Sequence, residues 1–259
     1  MTESAATIGL EAWQQWRAER DAEFAAPLGW LSVTALEWLG AEPGPVADLP
    51  GAWSVDSDGF HVELGPATLT VDGQAVSGSA LLWDLNGEAP VVIDGDRQIE
   101  LLTRDNGLRG LRVRDPRESA RRGLTTVPAF GYDPAWRIVG QYRAYDDAQQ
   151  VAVETVLPGL RHQQSVSGEL TVDIDGQSYT LKVSDGSWIS YRDASNGVLT
   201  THNCRWVDVD ASASGEVVVD FNFSANPPCA FTDFATCPLP PAGNALPVAV
   251  LAGEKDPRR

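Results

Sequence analysis

The dipeptide Asp-Gly occurs five times along the 259-residue chain, and it restricts the possible folds more than any other feature. The five copies are Asp58-Gly59, Asp72-Gly73, Asp94-Gly95, Asp175-Gly176 and Asp185-Gly186. A two-residue type I′ turn needs a positive φ at both central residues, which Asp and Gly tolerate. The first four copies lie between runs of alternating or β-branched residues. The chain is therefore predicted to form antiparallel hairpins.

Short runs of strand-forming residues surround these turns. The predicted hairpin strands are 53–55 with 60–64, 67–71 with 74–76, 91–93 with 98–102, and 169–174 with 177–183. Further strands are predicted at 111–114, 136–145, 151–157 and 217–223. Several short strands without intervening helices are typical of an antiparallel sandwich or a partly open barrel. The predicted fold class is mainly β.

The N-terminal part has a different pattern. Leu10, Trp13 and Trp16 recur at three-residue spacing, which predicts a helix over residues 8–24. Residues 28–39 fit either a helix or a buried strand, and both alternatives stay open. We expect a single domain, with an N-terminal helical extension at 1–27 and a β-rich domain at 28–259. Pro158-Gly159 is a plausible internal boundary, but strands on its two sides can join one sheet.

The overall charge excludes some partners. The chain has 36 Asp and Glu against 19 Lys and Arg, a formal net charge of −17, so nucleic acid and anionic membrane surfaces are not expected partners. No apolar run approaches the roughly 20 residues that cross a bilayer. Residues 1–4 carry no basic leader segment, which predicts a cytoplasmic location with reduced cysteines. The sequence makes no prediction about oligomeric state.

Arginine is concentrated in one part of the chain. Residues 97–143 hold ten arginines and five acids, a local charge of +5. The rigid guanidinium fork suits carboxylate or phosphate, so this segment favours a small anionic ligand. The alternative is that these arginines form surface ion pairs with the acidic remainder of the chain.

The C-terminal block combines a strand end with a long proline-rich loop that carries aromatic residues. Such loops are often functional or tightly packed. If Asp220 and Asn222 lie two apart on a strand, both side chains leave the same face. With Asn226 they could orient a ligand or bind a hard cation, or they could satisfy backbone groups of the loop.

The cysteines and the missing motifs bear on cofactors. His202, Cys204, Cys229 and Cys237 could supply four zinc ligands, but seven residues separate Cys229 from Cys237, wider than usual zinc spacing. Small buried side chains are the favoured alternative for the cysteines. Phosphate-cradling, dinucleotide and zinc-hydrolase motifs are absent from the sequence, so neither a cofactor nor a metal is expected.

Four segments resemble the DUF1684 family of uncharacterised bacterial and archaeal proteins. They are GLRGLRVRDP at 107–116, DPAWR at 133–137, DASNG at 193–197 and, above all, the 220–255 block with DFN, NPPCAFTDFATCPLPPAGN and AGEK. The resemblance extends from 29–32 to 252–255 and implies a shared fold but no reaction. It also implies that family positions are occupied by Arg104, Arg112, Asp115, Asp193, Arg205, Asp220, Asn222, Asn226, Cys229, Cys237, Asn244 and Glu254.

From these residues we predict an enzyme that uses carboxylate acid/base chemistry on a small anionic metabolite. Its pocket would be closed by the proline-rich C-terminal loop. The predicted catalytic residues are Asp193 and Asp220, and the predicted substrate-binding residues are Arg104, Arg112, Arg205, Asn222, Asn226 and Glu254. For Asp193 the alternative is an Asx-turn that starts the turn at 195–197. The alternative function is a non-catalytic module that binds a small molecule or a protein.

Overall fold

The computed structural model of the chain describes residues 5–105 and 107–258. Residues 1–4, to which the prediction about a leader segment refers, lie outside the described residues, as does the side chain of Arg121 in the arginine-rich segment. The described chain is mainly β with antiparallel strand pairing, which confirms the predicted fold class. No helix in the described ranges is long and apolar enough to span a membrane.

The helices and strands have the following bounds. The helices are α1 (Ala5–Ala25) and α2 (Pro116–Arg122). The strands of the first half are β1 (Val33–Trp38), β2 (Ala52–Val55), β3 (Phe60–Val71), β4 (Gln74–Trp83), β5 (Val92–Asp94), β6 (Arg97–Thr103) and β7 (Arg109–Arg114). Those of the second half are β8 (Arg137–Glu154), β9 (Arg161–Ile174), β10 (Gln177–Ser184), β11 (Trp188–Tyr191), β12 (Arg205–Asp208) and β13 (Gly215–Asp220).

The chain divides into two compact units. The sheet unit is Ala25–Leu124, and the loop unit combines Met1–Phe24 with Thr125–Arg259. The predicted limits of 1–27 and 28–259 stay a prediction. The predicted helix at 8–24 is present as α1. The ambiguous segment 28–39 forms a short 3₁₀ turn at Trp30–Ser32 followed by β1.

The sheet unit contains a seven-stranded sheet in the order β1-β7-β6-β5-β3-β2, with β4 paired to β3. Its core includes Trp53, Phe60, Ile99 and Leu111, each at most 1% exposed. The segments 60–64 and 67–71 were predicted as separate strands but form the single strand β3, whose pairing with β4 shifts register between Glu63 and Thr68. An irregularity of this kind lets one strand bend without ending.

The loop unit contains a six-stranded sheet in the order β12-β11-β10-β9-β8-β13. Leu170, Leu181, Ile189, Tyr191 and Phe221 fill its core, and each is 0% exposed. The predicted strands at 136–145 and 151–157 are one strand, β8, again with a register irregularity. The predicted strand at 217–223 is too long, because the chain turns into a 3₁₀ helix at Phe221–Phe223.

Candidate functional site

Helix α1 lies against the C-terminal block of the loop unit. Trp13 Nε1 donates a hydrogen bond to the Asn222 carbonyl oxygen over 3.1 Å. The rings of Trp16 and Phe223 are 5.3 Å apart, and those of Phe24 and Phe231 are stacked at 3.9 Å. The aromatic residues of the helix and of the loop are therefore each other's packing partners.

The end of β13, the start of the 3₁₀ turn and α1 form an open groove of about 460 Å³. Its lining residues are Trp16, Asp208, Val209, Asp210, Val218, Asp220 and Phe223. Two aromatic rings and three carboxylates thus line one concavity, which we call the acidic groove. Small-molecule sites commonly combine an apolar wall with a few converging polar groups in this way.

Asp220 is the one predicted catalytic residue that lines this groove. Its Oδ1 accepts hydrogen bonds from the Asn222 backbone N–H at 3.1 Å and from Asn222 Nδ2 at 2.8 Å. Its Oδ2 lies 4.0 Å from Arg137 Nε, beyond hydrogen-bonding distance, and its side chain keeps 15% of its exposure. One carboxylate oxygen is therefore held in place by hydrogen bonds, while the other makes only a long ion pair with Arg137.

Both ends of the Asn222 side-chain amide are hydrogen-bonded to protein groups. Asn222 is fully buried, its Oδ1 accepts the Asp133 N–H at 2.9 Å, and its Nδ2 donates to the Asp133 carbonyl at 2.8 Å. The prediction that Asp220 and Asn222 share one face of a strand is wrong. Asp220 caps the 3₁₀ turn, so the strand ends before Asn222. Asn222 positions Asp220 and the neighbouring loop.

The negative charge of the groove affects a nearby tyrosine. Burial raises the pKa of Tyr132, and the carboxylate of Asp220 raises it further, while Arg137 acts in the opposite direction. An anion close to a phenol disfavours a second negative charge. The same field disfavours an anionic ligand.

Asp193 and Arg205 form a fully buried ion pair. Arg205 Nη2 lies 2.7 Å from Asp193 Oδ2, and both side chains are 0% exposed. Asp193 Oδ1 accepts the N–H of Ser195 at 2.7 Å and that of Val250 at 3.3 Å. Arg205 also donates to the carbonyls of Val250 and Ala252. The geometry favours the Asx-turn alternative for Asp193, because both groups are occupied by protein.

Asn226 and Glu254 meet in a second buried cluster. Glu254 Oε2 accepts the Asn226 N–H at 2.6 Å, and Asn226 Nδ2 donates to the Lys255 carbonyl at 2.7 Å. Arg20 of α1 donates to Glu254 Oε1 at 2.9 Å. Arg20 was absent from the predicted site. Trp13, Arg17, Arg20 and Phe24 recur at helical spacing, and that face of α1 was the signal that could have found it.

The glycine of the AGEK motif explains how Glu254 reaches this cluster. Gly253 has φ +74, and a Cβ there would lie 2.5 Å from the Ser224 carbonyl oxygen. Only glycine tolerates both the left-handed conformation and this close approach. The next residue, Glu254, then donates its N–H to the same Ser224 carbonyl at 2.8 Å.

The predicted anion-binding arginines Arg104 and Arg112 belong to the sheet unit, and the other six predicted site residues belong to the loop unit. Arg112 is 3% exposed, donates to both carboxylate oxygens of Glu100 at 3.0–3.1 Å, and lies 4.8 Å from the Trp30 ring centroid. Arg104 donates to the Thr103 carbonyl. Burial lowers the pKa of Arg112. These contacts favour the ion-pair alternative.

The three cysteines converge in the loop unit. The Cys229 N–H donates to Cys237 Sγ at 3.3 Å, and Asn203 Nδ2 donates to Cys229 Sγ at 3.6 Å. Cys204 is fully buried, and all three are free thiols. Within the described residues, no group of three or more His, Cys, Asp and Glu side chains is placed to hold a metal ion.

The chain is similar to a known protein family and to a solved structure. The sequence model of DUF1684, a family described as proteins of unknown function, matches residues 122–255. This match is shorter than the resemblance predicted, because the motifs at 29–32 and 107–116 lie before it. An uncharacterized protein of Haloarcula marismortui, solved by solution NMR, is 25% identical, with a TM-score of 0.45, over 52% of this chain and 78% of that chain. No curated protein matches the chain.

Proposed function

The chain belongs to the DUF1684 family, whose function is unknown, and from its own geometry we propose that its loop unit binds a small organic cation in the acidic groove. The observation that carries the proposal is the placement of Asp208, Asp210 and Asp220 with two aromatic rings around one concavity. Carboxylates attract an ammonium group, and an aromatic face stabilises it through the cation–π interaction. The ligand class is therefore an amine or quaternary ammonium with an apolar part.

The size and the charge of the groove support this ligand class. Its volume of about 460 Å³ lies within the usual range for small-molecule sites. The net charge of −17 also raises the local concentration of cations around the protein. The predicted anionic metabolite stays a prediction with less support, because Arg205 and Arg112 already hold Asp193 and Glu100.

Turnover at the same groove is the second candidate function. Asn222 fixes Oδ1 of Asp220 through two hydrogen bonds, which leaves Oδ2 to accept a proton from a bound ligand. An oriented carboxylate of this kind suits a general base. Asp220 is thus the better candidate of the two predicted catalytic residues, since Asp193 is enclosed by protein donors.

A cytoplasmic location is part of this proposal. The three cysteines are free thiols, which fits a reducing compartment. Nucleic acid is not a proposed partner, because the net negative charge opposes binding to phosphates.

The test compares two aromatic probes of similar size and opposite charge. Phenyltrimethylammonium and phenylacetate are titrated into the full chain by calorimetry at low salt. We expect the cation to bind, with an affinity that falls as salt is added, and the anion to give no signal. Asp220→Asn keeps the size of the side chain and should weaken cation binding about tenfold, a free-energy change of about 1.4 kcal/mol.

The matched control is Asp175→Asn, which removes the same charge at the β9–β10 turn, outside the lining of the groove. It should bind the cation like the parent protein. Equal weakening by both variants would mean that only the net charge matters and would overturn the assigned site. Binding of phenylacetate alone would overturn the ligand class and restore the anionic prediction.

A further inference from the structure

The proline-rich block brings two cysteines together in the loop unit. Cys229 lies in a 3₁₀ turn at Pro228–Ala230 and is half-buried, whereas Cys237 is buried. The Cys229 N–H donates to Cys237 Sγ at 3.3 Å, so the sulfur of Cys237 lies beside the backbone of Cys229. Neither thiol lines the acidic groove or takes part in the ligand binding proposed there.

We propose that Cys229 and Cys237 form a redox-active pair that a hydroperoxide converts to a disulfide, with Cys229 as the attacking sulfur. The proposal is independent of the acidic groove. Its second sulfur distinguishes this site from an isolated reactive cysteine, because a sulfenic acid on Cys229 would form beside a thiol that can resolve it.

The chemistry balances in two steps. In the first, the Cys229 thiolate attacks one oxygen of the hydroperoxide. An S–O bond forms, the O–O bond breaks, and the leaving alkoxide takes up a proton to become an alcohol. In the second, Cys237 loses its proton and attacks the sulfenic sulfur of Cys229. The S–S bond forms, the S–O bond breaks, and hydroxide leaves as water with that proton. Two electrons pass from the thiols to the hydroperoxide, and an external dithiol reverses the change.

The groups around the two sulfurs indicate which cysteine attacks the hydroperoxide and which one resolves the sulfenic acid. The hydrogen bond from Cys237 lowers the pKa of the Cys229 thiol despite its partial burial, and the Asn203 amide and the Arg258 guanidinium act in the same direction. The hydrogen bond to Cys229 and burial raise the pKa of Cys237. A stabilised thiolate with partial exposure is the reactive form of cysteine. Cys229 is therefore the attacking group and Cys237 the resolving one.

The backbone on both sides keeps the two sulfurs together. The N–H of Val156 donates to the Cys237 carbonyl at 2.9 Å, which ties that residue to the segment after β8. Arg258 donates to the carbonyls of Cys229 and Ala230. Cys204 is fully buried, and burial raises its pKa, so it is the matched unreactive thiol.

The first experiment oxidises the full reduced chain with hydrogen peroxide, unfolds it and blocks the remaining thiols with N-ethylmaleimide. Trypsin then cleaves after Arg205 and Lys255, so the peptide 206–255 holds both Cys229 and Cys237, while Cys204 is in 193–205. We expect the peptide 206–255 to be unblocked and lighter by two hydrogen atoms, with Cys204 blocked. A cross-link between the two peptides, or peroxide products on Cys229 without a disulfide, would overturn the pairing.

Variants separate the roles. Cys237→Ser should hold the sulfenic acid on Cys229, where dimedone traps it, and Cys229→Ser should give no dimedone adduct. Cys204→Ser is the matched control and should form the disulfide like the parent protein. If circular dichroism shows that a variant does not fold, the oxidation rates of the folded and the unfolded parent protein are compared instead. Folded chain should oxidise about tenfold faster than chain in urea, and equal rates would overturn the activated site.

Discussion

At the scale of single residues, buried charged side chains of the loop unit form ion pairs. The side chains of Asp193 and Arg205 are 0% exposed and 2.7 Å apart, and backbone N–H and carbonyl groups form further hydrogen bonds with both. Removing one partner of such a pair leaves the other charge buried and uncompensated. The pair therefore holds the segment before Glu254 in place. Its loss is expected to lower the free energy of unfolding and not to act on ligand binding directly.

Asp193→Asn should lower the free energy of unfolding by about 3–5 kcal/mol, because it leaves the Arg205 guanidinium buried without a counter-charge. Urea denaturation followed by circular dichroism measures the change. The control is Glu154→Gln, whose pair with Arg161 lies on the surface at 2.7 Å with side chains 50% and 69% exposed. The control should change stability by less than about 1 kcal/mol. A stable Asp193→Asn protein that loses only ligand turnover would restore the catalytic prediction.

The sequence could supply the identities of the buried polar residues but not their partners. Asn226 and Glu254 were both predicted and do meet, at 2.6 Å. The nearer of the two arginines that face Glu254, Arg20, lies 234 positions from it and belongs to a helix that was treated as an extension. A contact of that sequence separation depends on how the helix docks. Helical spacing can identify the face of α1 that carries Arg20, but not the residues that this face contacts.

At the scale of elements, the Asp-Gly dipeptides predicted the presence of hairpins more accurately than they predicted which residues form each turn. Asp72-Gly73 and Asp175-Gly176 are two-residue turns with positive φ at both residues, as the sequence predicted. At Asp94-Gly95 the pairing of Asp94 with Arg97 moves the turn one residue forward. Asp58-Gly59 belongs to a longer connection, because Val55 pairs with Phe60. Strand register, set by the core side chains, overrode the local turn preference at these two sites.

Helix α1 depends on the loop unit for its stability, which gives a prediction for this element. Arg20→Met keeps an apolar stem but removes the nearer of the two arginines that face the fully buried Glu254, the other being Arg17 at 3.8 Å. It should therefore lower the free energy of unfolding by about 3 kcal/mol. Amide hydrogen exchange over residues 9–24 should speed up first, since the helix loses its anchor. Arg161→Met, at an exposed pair, is the control. Unchanged protection of α1 in Arg20→Met would contradict this account.

At the scale of the whole molecule, four arginines of the arginine-rich segment that belong to the sheet unit pair with acids of that same unit. Arg112 and Arg114 share Glu100, Arg117 pairs with Asp115, and Arg97 pairs with Asp94. The count of +5 over residues 97–143 was correct as arithmetic, but the sequence could not show these pairings. An excess of arginines in a sequence segment predicts an anion-binding site only when those arginines are not already paired with acidic side chains of the protein. The groove instead concentrates the acids of the other unit.

The pH dependence of global stability follows from the core of the loop unit. Tyr191 is 0% exposed, donates to Ser224 Oγ at 2.7 Å, and has its pKa raised to about 12, chiefly by burial. In the unfolded chain a tyrosine titrates near about pH 10. Between these values the unfolded state has lost a proton that the folded state still holds. The contribution of Tyr191 to the free energy of unfolding is thus fully present below about pH 10 and is lost as the pH rises towards 12.

The expected loss across that interval is about 3 kcal/mol, since each unit of pKa difference corresponds to about 1.4 kcal/mol. Urea denaturation at a series of alkaline pH values measures the slope, and tyrosinate absorbance reports the titration of the folded chain. The Tyr191→Phe protein lacks the hydrogen bond to Ser224, so this variant should be less stable than the parent protein at neutral pH. It should nevertheless lose less stability between pH 10 and 12 than the parent. Because burial also raises the pKa of Cys204, some alkaline loss persists in the variant. Equal slopes in the two proteins would mean that water reaches the Tyr191 hydroxyl, and that the core around Phe221 is not closed.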